Sequence, residues 1–85
     1  MQNYVATFYT HLSAFRSSRA LQSHDGAEGV RLSPVPRTLS SSCGTCMRYS
    51  AEDTLAELMD ADLESIAVAL PDEKYKIVYK APQPE

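Results

Sequence analysis

The segment "YVATFYT" at residues 4–10 constrains the fold more than any other stretch of the chain. Its β-branched and aromatic residues mark a strand. Tyr4, Ala6 and Phe8 fall on one side and Val5, Thr7 and Tyr9 on the other, and both sides are largely apolar. A strand of that kind belongs in the middle of a sheet, so the remainder of the chain must supply its neighbours. With 85 residues there is material for one small domain, residues 1–85, with a folded core over 4–80 and a frayed tail "APQPE" at 81–85. A domain of this size buries only about 60–65% of its unfolded surface. That leaves no room for a deep catalytic cavity and puts any chemistry on a loop or a sheet face.

The neighbours can be read in turn. "THLSAFRSSRALQSHDG" predicts a helix with Thr10 as N-cap and with Ala14, Phe15, Ser18 and Leu21 on one face, ending near Gly26. In "GVRLSPVPR", Val30 and Leu32 alternate with Arg31 and Ser33, which predicts a half-buried strand. Pro34 and Pro36 cannot donate to a ladder, so that strand is an edge or stops there. "TCMRY" at 45–49 predicts a third strand, with Thr45, Met47 and Tyr49 opposite Cys46 and Arg48. Ser50 then caps a second helix, in which Leu55, Leu58, Met59, Leu63, Ile66 and Leu70 share one face. Asp60 to Asp62 can divide it, and "SIAVAL" also reads as a short strand before a turn at "PDEK". "YKIVYK" at 75–80 closes the chain as a strand, Tyr75, Ile77 and Tyr79 alternating with Lys76, Val78 and Lys80, lysines that protect an exposed edge.

The order β-α-β-β-α-β predicts an α+β, ferredoxin-like sandwich: four antiparallel strands with two helices on one face. With Met47 and Tyr49 against the helices, Cys46 and Arg48 occupy the open face, joined by Arg31, Lys76 and Lys80.

Charge and hydropathy exclude several classes. A net charge of −3 gives no global basic signal for nucleic acid. No apolar run approaches the roughly 18–20 residues needed to cross a bilayer. "MQNYVATFYT" lacks the basic start and long apolar stretch of a signal peptide, which implies a cytoplasmic protein with reduced thiols.

The chemistry then centres on "SSSCGTC" at 40–46, which holds both cysteines of the chain. A thioredoxin-type pair opens a helix, whose dipole stabilises the thiolate; here the pair precedes a strand. A zinc site needs four ligands. Only His11 and His24 could complete one, and they lie roughly 20 Å apart on a regular helix. No metal or other cofactor is indicated. A reactive thiol remains, against the plainer reading of a solvated serine-rich loop with an inert cysteine. Cys43, at the junction of loop and strand, should be more accessible than Cys46 within the strand. Arg37, Arg48 and the hydroxyls of Ser40, Ser41 and Ser42 could steady an anion there, and Gly44 allows the turn that aims backbone N–H groups at it.

The run "SPVPRTLSSSCGTCMRYSAED", with "TFYTHLSAF" upstream, resembles the selenium/sulfur carrier-like family of small bacterial proteins. The likeness rests on Pro34, Val35, Pro36 and Arg37, followed by Ser41, Ser42, Cys43 and Gly44 leading into a strand, and it spans roughly residues 4–60. The resemblance implies a carrier thiol: Cys43 accepts sulfur or selenium as a persulfide or selenosulfide from a donor such as a cysteine desulfurase, and passes it to an acceptor protein. Cys46 has no counterpart in the motif. Its presence allows a variation in which it attacks the Cys43 persulfide and closes a disulfide, provided the two Cα atoms lie within about 7 Å.

Other classes stand beside the carrier reading. One is a Cys43/Cys46 redox protein. Another is a binding module without covalent chemistry. RNA recognition on such a sheet needs exposed aromatics that the first and third strands do not offer. Self-association through the open face has a better basis, an apolar strip of Val5, Thr7, Tyr9 and Val78 that suits a homodimer. A stand-alone enzyme finds no acid–base pair by spacing; a partnership of His11 with Cys43 is the one contact the layout permits.

Overall fold

The computed structural model describes residues 1–39 and 41–82. The chain forms β1 (Gln2–Phe8), α1 (His11–Gln22), β2 (Ala27–Pro34), β3 (Thr45–Ala51), β4 (Leu63–Leu70) and β5 (Lys74–Lys80), with short 3-10 turns at Ala56–Leu58 and Pro71–Glu73. The strands make one antiparallel sheet of order β2-β3-β1-β4-β5. The doubly apolar strand is therefore central: Tyr4 pairs with Tyr49 on one flank and Val68 on the other.

α1 packs on one face. Thr10 caps it, accepting from the Ser13 N–H at 3.1 Å. Its buried stripe is made of small residues, Ser13, Ala14, Ser17 and Ser18, with Leu21 as the one large anchor, while Phe15 stays exposed under Arg19. Small side chains let the helix sit close against the sheet. Below it lie Tyr4, Ala6, Phe8, Met47, Tyr49, Ala51, Leu63 and Ile66. Complete burial of Phe8, Leu21, Met47 and Ile66 contributes about 1.5–3 kcal/mol each.

The expected four strands and two helices are corrected to five strands and one helix. Residues 51–62 form no α-helix, only the 3-10 turn at Ala56–Leu58, because local bonds hold the backbone elsewhere. Ala51 still pairs with Gln2 and Ala27. The Asp53 carboxylate accepts the Leu55 N–H at 3.2 Å, and Leu55 takes a left-handed conformation (φ 57) that buries its side chain. The Tyr49 hydroxyl donates to the Thr54 carbonyl, and the Asp60 N–H donates to the Ser17 hydroxyl at 2.9 Å. Burial, and then the nearby charge of Tyr4 and the acids Asp53 and Glu57, raises the Tyr49 pKa far above its usual value, so the phenol stays protonated and keeps that bond.

β4 realises the strand alternative that "SIAVAL" allowed. Its disguise has a specific cause. Phe8 pairs with Leu63 and Thr7 with Ser65, so Glu64 is an extra, bulged residue. The bulge puts Leu63 and Ile66, three apart, on the same core face, a spacing that imitates a helix. β5 carries a bulge of its own. Ile66 pairs with Tyr79 but Ala67 pairs with Ile77, leaving Val78 extra. Tyr79 packs on the core side while Tyr75 and Ile77 follow Ala69 and Ala67 to the opposite face. Lys76, opposite the core-facing Val68, is on the helix side, so of the two lysines expected on the far face only Lys80 is there, beside Ser65.

The far face is not open throughout. Val5, Thr7, Cys46 and Ala67 are all buried, and Thr7 and Ser65 share a 2.6 Å hydroxyl–hydroxyl bond. Residues 36–39 lie along it, bordering hollows with Arg48, Ser65, Tyr75 and Ile77. Two members of the strip expected to drive self-association, Val5 and Thr7, are thus beneath the surface. Among the described residues no helix is long and apolar enough to cross a membrane. Ser40 and residues 83–85 of the expected tail lie outside the described residues.

Candidate functional site

The β2–β3 connection carries the cysteines to the end of the sheet where α1 begins. The Ser41 hydroxyl donates to the Phe8 carbonyl at 3.3 Å, tying the loop to the last residue of β1. The Val35 N–H donates to the Gly44 carbonyl at 3.2 Å and closes the loop on itself. Gly44 turns the chain into β3 with φ 75, a left-handed angle that favours glycine, and nothing lies near where its side chain would be.

Glu64 adds a clasp that sequence reasoning missed. Its carboxylate accepts the Ser42 N–H at 3.1 Å and the Ser42 hydroxyl at 3.1 Å. Its own carbonyl takes the Ala81 N–H at 2.9 Å, so one bulged residue pins both the cysteine loop and the end of β5. A bulge re-aims a side chain that a regular strand would send elsewhere. Ser42, expected as a donor toward an anion, spends both donors on this carboxylate.

Cys43 is half-buried, packing beside the helix-side core. Its sulfur donates to the Thr45 carbonyl at 3.4 Å and lies 3.9 Å from the Ser41 hydroxyl. Among the described residues no protein group takes the N–H of Cys43 or of Gly44. Thr45 also links the site to α1, its hydroxyl 2.9 Å from His11 Nδ1. The expected approach of His11 to Cys43 is thus indirect, through Thr45.

Cys46 is placed differently. It is fully buried on the sheet face away from α1, its sulfur 3.3 Å from the Ser33 hydroxyl and 3.6 Å from the Pro34 carbonyl. Both cysteines are free thiols. Arg48 projects from the same face as Cys46 and donates to Ser33 at 3.1 Å and to the Tyr75 hydroxyl at 3.4 Å. Arg37 is exposed and borders a hollow with Arg48. The structure therefore brings Ser41, Ser42 and Gly44 to Cys43, and groups the two arginines with Cys46 on the other side. Among the described residues no cluster of three or more histidine, cysteine or acidic side chains could hold a metal ion.

Comparison with known families decides the kinship of this site. Residues 3–68 match the family described as "Putative Se/S carrier protein-like". The chain belongs to this family. The matched segment runs from β1 through most of β4 and includes the whole cysteine loop, while β5 lies beyond it. No curated protein and no solved structure matched the chain.

Proposed function

We propose that this member of the selenium/sulfur carrier-like family uses Cys43 as its acceptor thiol. The observation that carries the reading is the contrast between the two sulfurs: Cys43 is partly accessible on a loop, whereas Cys46 is wholly enclosed. The surroundings of Cys43 suit a terminal anion. The N–H groups of Cys43 and Gly44, which have no acceptor among the described residues, are donors, and the start of α1 brings the positive end of a helix dipole to the same end of the sheet. In the transfer, the Cys43 thiolate attacks the outer sulfur of a donor's persulfide. A new S–S bond forms at Cys43, the donor leaves as a thiolate, and no external oxidant is needed. Delivery to an acceptor thiol repeats the step in reverse roles, and a selenium atom would travel as a selenosulfide.

Incubation with a cysteine desulfurase and cysteine, followed by intact mass measurement, tests the reading. The expected gain is about 32 Da, one sulfur on a nucleophilic thiolate. It should vanish in Cys43→Ala and persist in Cys46→Ala. Persistence in Cys43→Ala, or no gain beside an active desulfurase, refutes the proposal. Loss in Cys46→Ala of a correctly folded protein would instead favour the paired Cys43/Cys46 chemistry.

A further inference from the structure

The sheet face away from α1 gathers arginines that, among the described residues, form no ion pair with an acid. Arg31 and Arg48 are directly opposed across the β2–β3 ladder, a like-charge arrangement that costs stability. Arg37 and Arg48 line a hollow of about 450 Å³ together with Pro36, Thr38, Glu73 and Tyr75. Among the described residues, the one ion pair joins the Met1 amino group to Glu52, so none of these three arginines contacts a carboxylate. Acids are not scarce in a chain of net charge −3. They lie elsewhere.

Arg48 is the most exacting of the three. A guanidinium has five N–H donors. Its Nε donates to Ser33 and its Nη2 to Tyr75, and among the described residues these are its only acceptors. Three donors remain, two of them on Nη1, which is open to solvent rather than buried without a partner. The two bonds also hold the plane of the group, so its free edge presents donors to solvent in a fixed direction. Because the Tyr75 hydroxyl accepts from Arg48, its own hydrogen is free to donate.

We propose that this face carries an anion site for a tetrahedral oxyanion of the phosphate or sulfate class. The oxyanion binds the free edge of Arg48 and the Arg37 guanidinium, with the hydroxyls of Tyr75 and Thr38 as further donors. Arg31 adds positive potential from the neighbouring strand. A planar guanidinium edge matches two oxygens of such an ion. The hollow is larger than one oxyanion, so it also admits an organic group bearing it. The site is separate from Cys43, which packs toward the opposite face. Glu73 is the one acid in the lining, and its charge opposes the ligand.

Titration of the ¹⁵N-labelled protein with sodium phosphate, against sodium chloride at matched ionic strength, reads the site through the amides of Thr38, Arg48 and Tyr75. A saturable shift specific to phosphate is expected. Arg37→Gln and Arg48→Lys should each weaken it about tenfold, as loss of one charge-assisted or forked contact does. Glu73→Gln should tighten it, a gain that misfolding cannot mimic. Adenosine monophosphate serves as the second probe: tighter binding than phosphate assigns the site to an organic phosphate, and equal binding to the free ion. Shifts no larger than those in chloride, or affinities unchanged in both Arg37→Gln and Glu73→Gln, overturn the proposal.

Discussion

Removing the Glu64 carboxylate should loosen the cysteine loop without unfolding the sheet. In Glu64→Ala the Ser42 N–H and hydroxyl both lose their 3.1 Å acceptor. Both bonds are solvent-exposed, so each is placed at the low end of the usual range, about 0.5–1 kcal/mol. Together they make loop opening about 1–2 kcal/mol easier. The bond from the Ala81 N–H ends on the Glu64 main chain and survives the substitution, as do the Ser41–Phe8 and Val35–Gly44 contacts. The effect is therefore local. Amide hydrogen exchange at Ser42 should accelerate about 5–30-fold, since about 1.4 kcal/mol is a factor of ten, while the amides of β1 stay protected. Glu64→Gln, which keeps one acceptor oxygen, should fall between the two. Ser42 exchange within about twofold of the native rate would show that the clasp contributes nothing and that other contacts hold the loop.

Iodoacetamide under native conditions should label Cys43 and spare Cys46, with Cys46 reacting only on unfolding; peptide mapping distinguishes them. Stability should fall as the pH climbs past about 10, where an unfolded tyrosine ionises. Tyr49 and Tyr4, both raised in the fold, keep their protons longer than the unfolded chain does, so the slope of unfolding free energy with pH is negative there. Denaturant melts between about pH 9 and 11 should show the loss, and Tyr49→Phe should flatten it. Glu73→Gly should raise Tm, because Glu73 holds a left-handed backbone (φ 57) and, among the described residues, its side chain makes no ion pair that would offset the strain. Relief of about 1 kcal/mol corresponds to roughly 4–8 °C in a domain this small, measured by thermal melting.

The parts of the fold legible in the sequence are those set by short-range chemistry. Thr10 at the head of α1, the edge position of the proline-bearing β2 and the facing of Met47 against Cys46 all depend on residues within a few positions of one another. The second helix misleads because its signal is real but has another source. Leu63 and Ile66 keep a three-residue spacing through a bulge, and Leu55 reaches the core from a left-handed turn rather than from a helical face. Simple alternation along β5 fails at Val78 for the same reason, since one extra residue exchanges the two faces. At the site, Cys43 with Ser41 and Gly44 can be read as a group because they are contiguous. Glu64 cannot, standing 22 positions from Ser42 in a segment that looks helical. A strand reading of residues 63–70 would place it at the sheet end that also holds the loop. The two arginines look like companions of Cys43 because they flank it in sequence; alternation along β3 turns Arg48 to the other face.

The strand that comes first in the chain is the one the sheet is built around. β1 makes no ladder with its immediate successors; its partners begin only at Thr45 and Leu63. Until both have been brought back to it, each long edge of β1 is bare, and Val5 and Phe8 have nothing across from them. β2–β3 and β4–β5 are local hairpins, but the pairing of β1 depends on two distant returns, which makes for slow closure. A chain cut after residue 60 would keep α1 and three of the five strands, with one edge of β1 left as an unguarded rim for other chains to join.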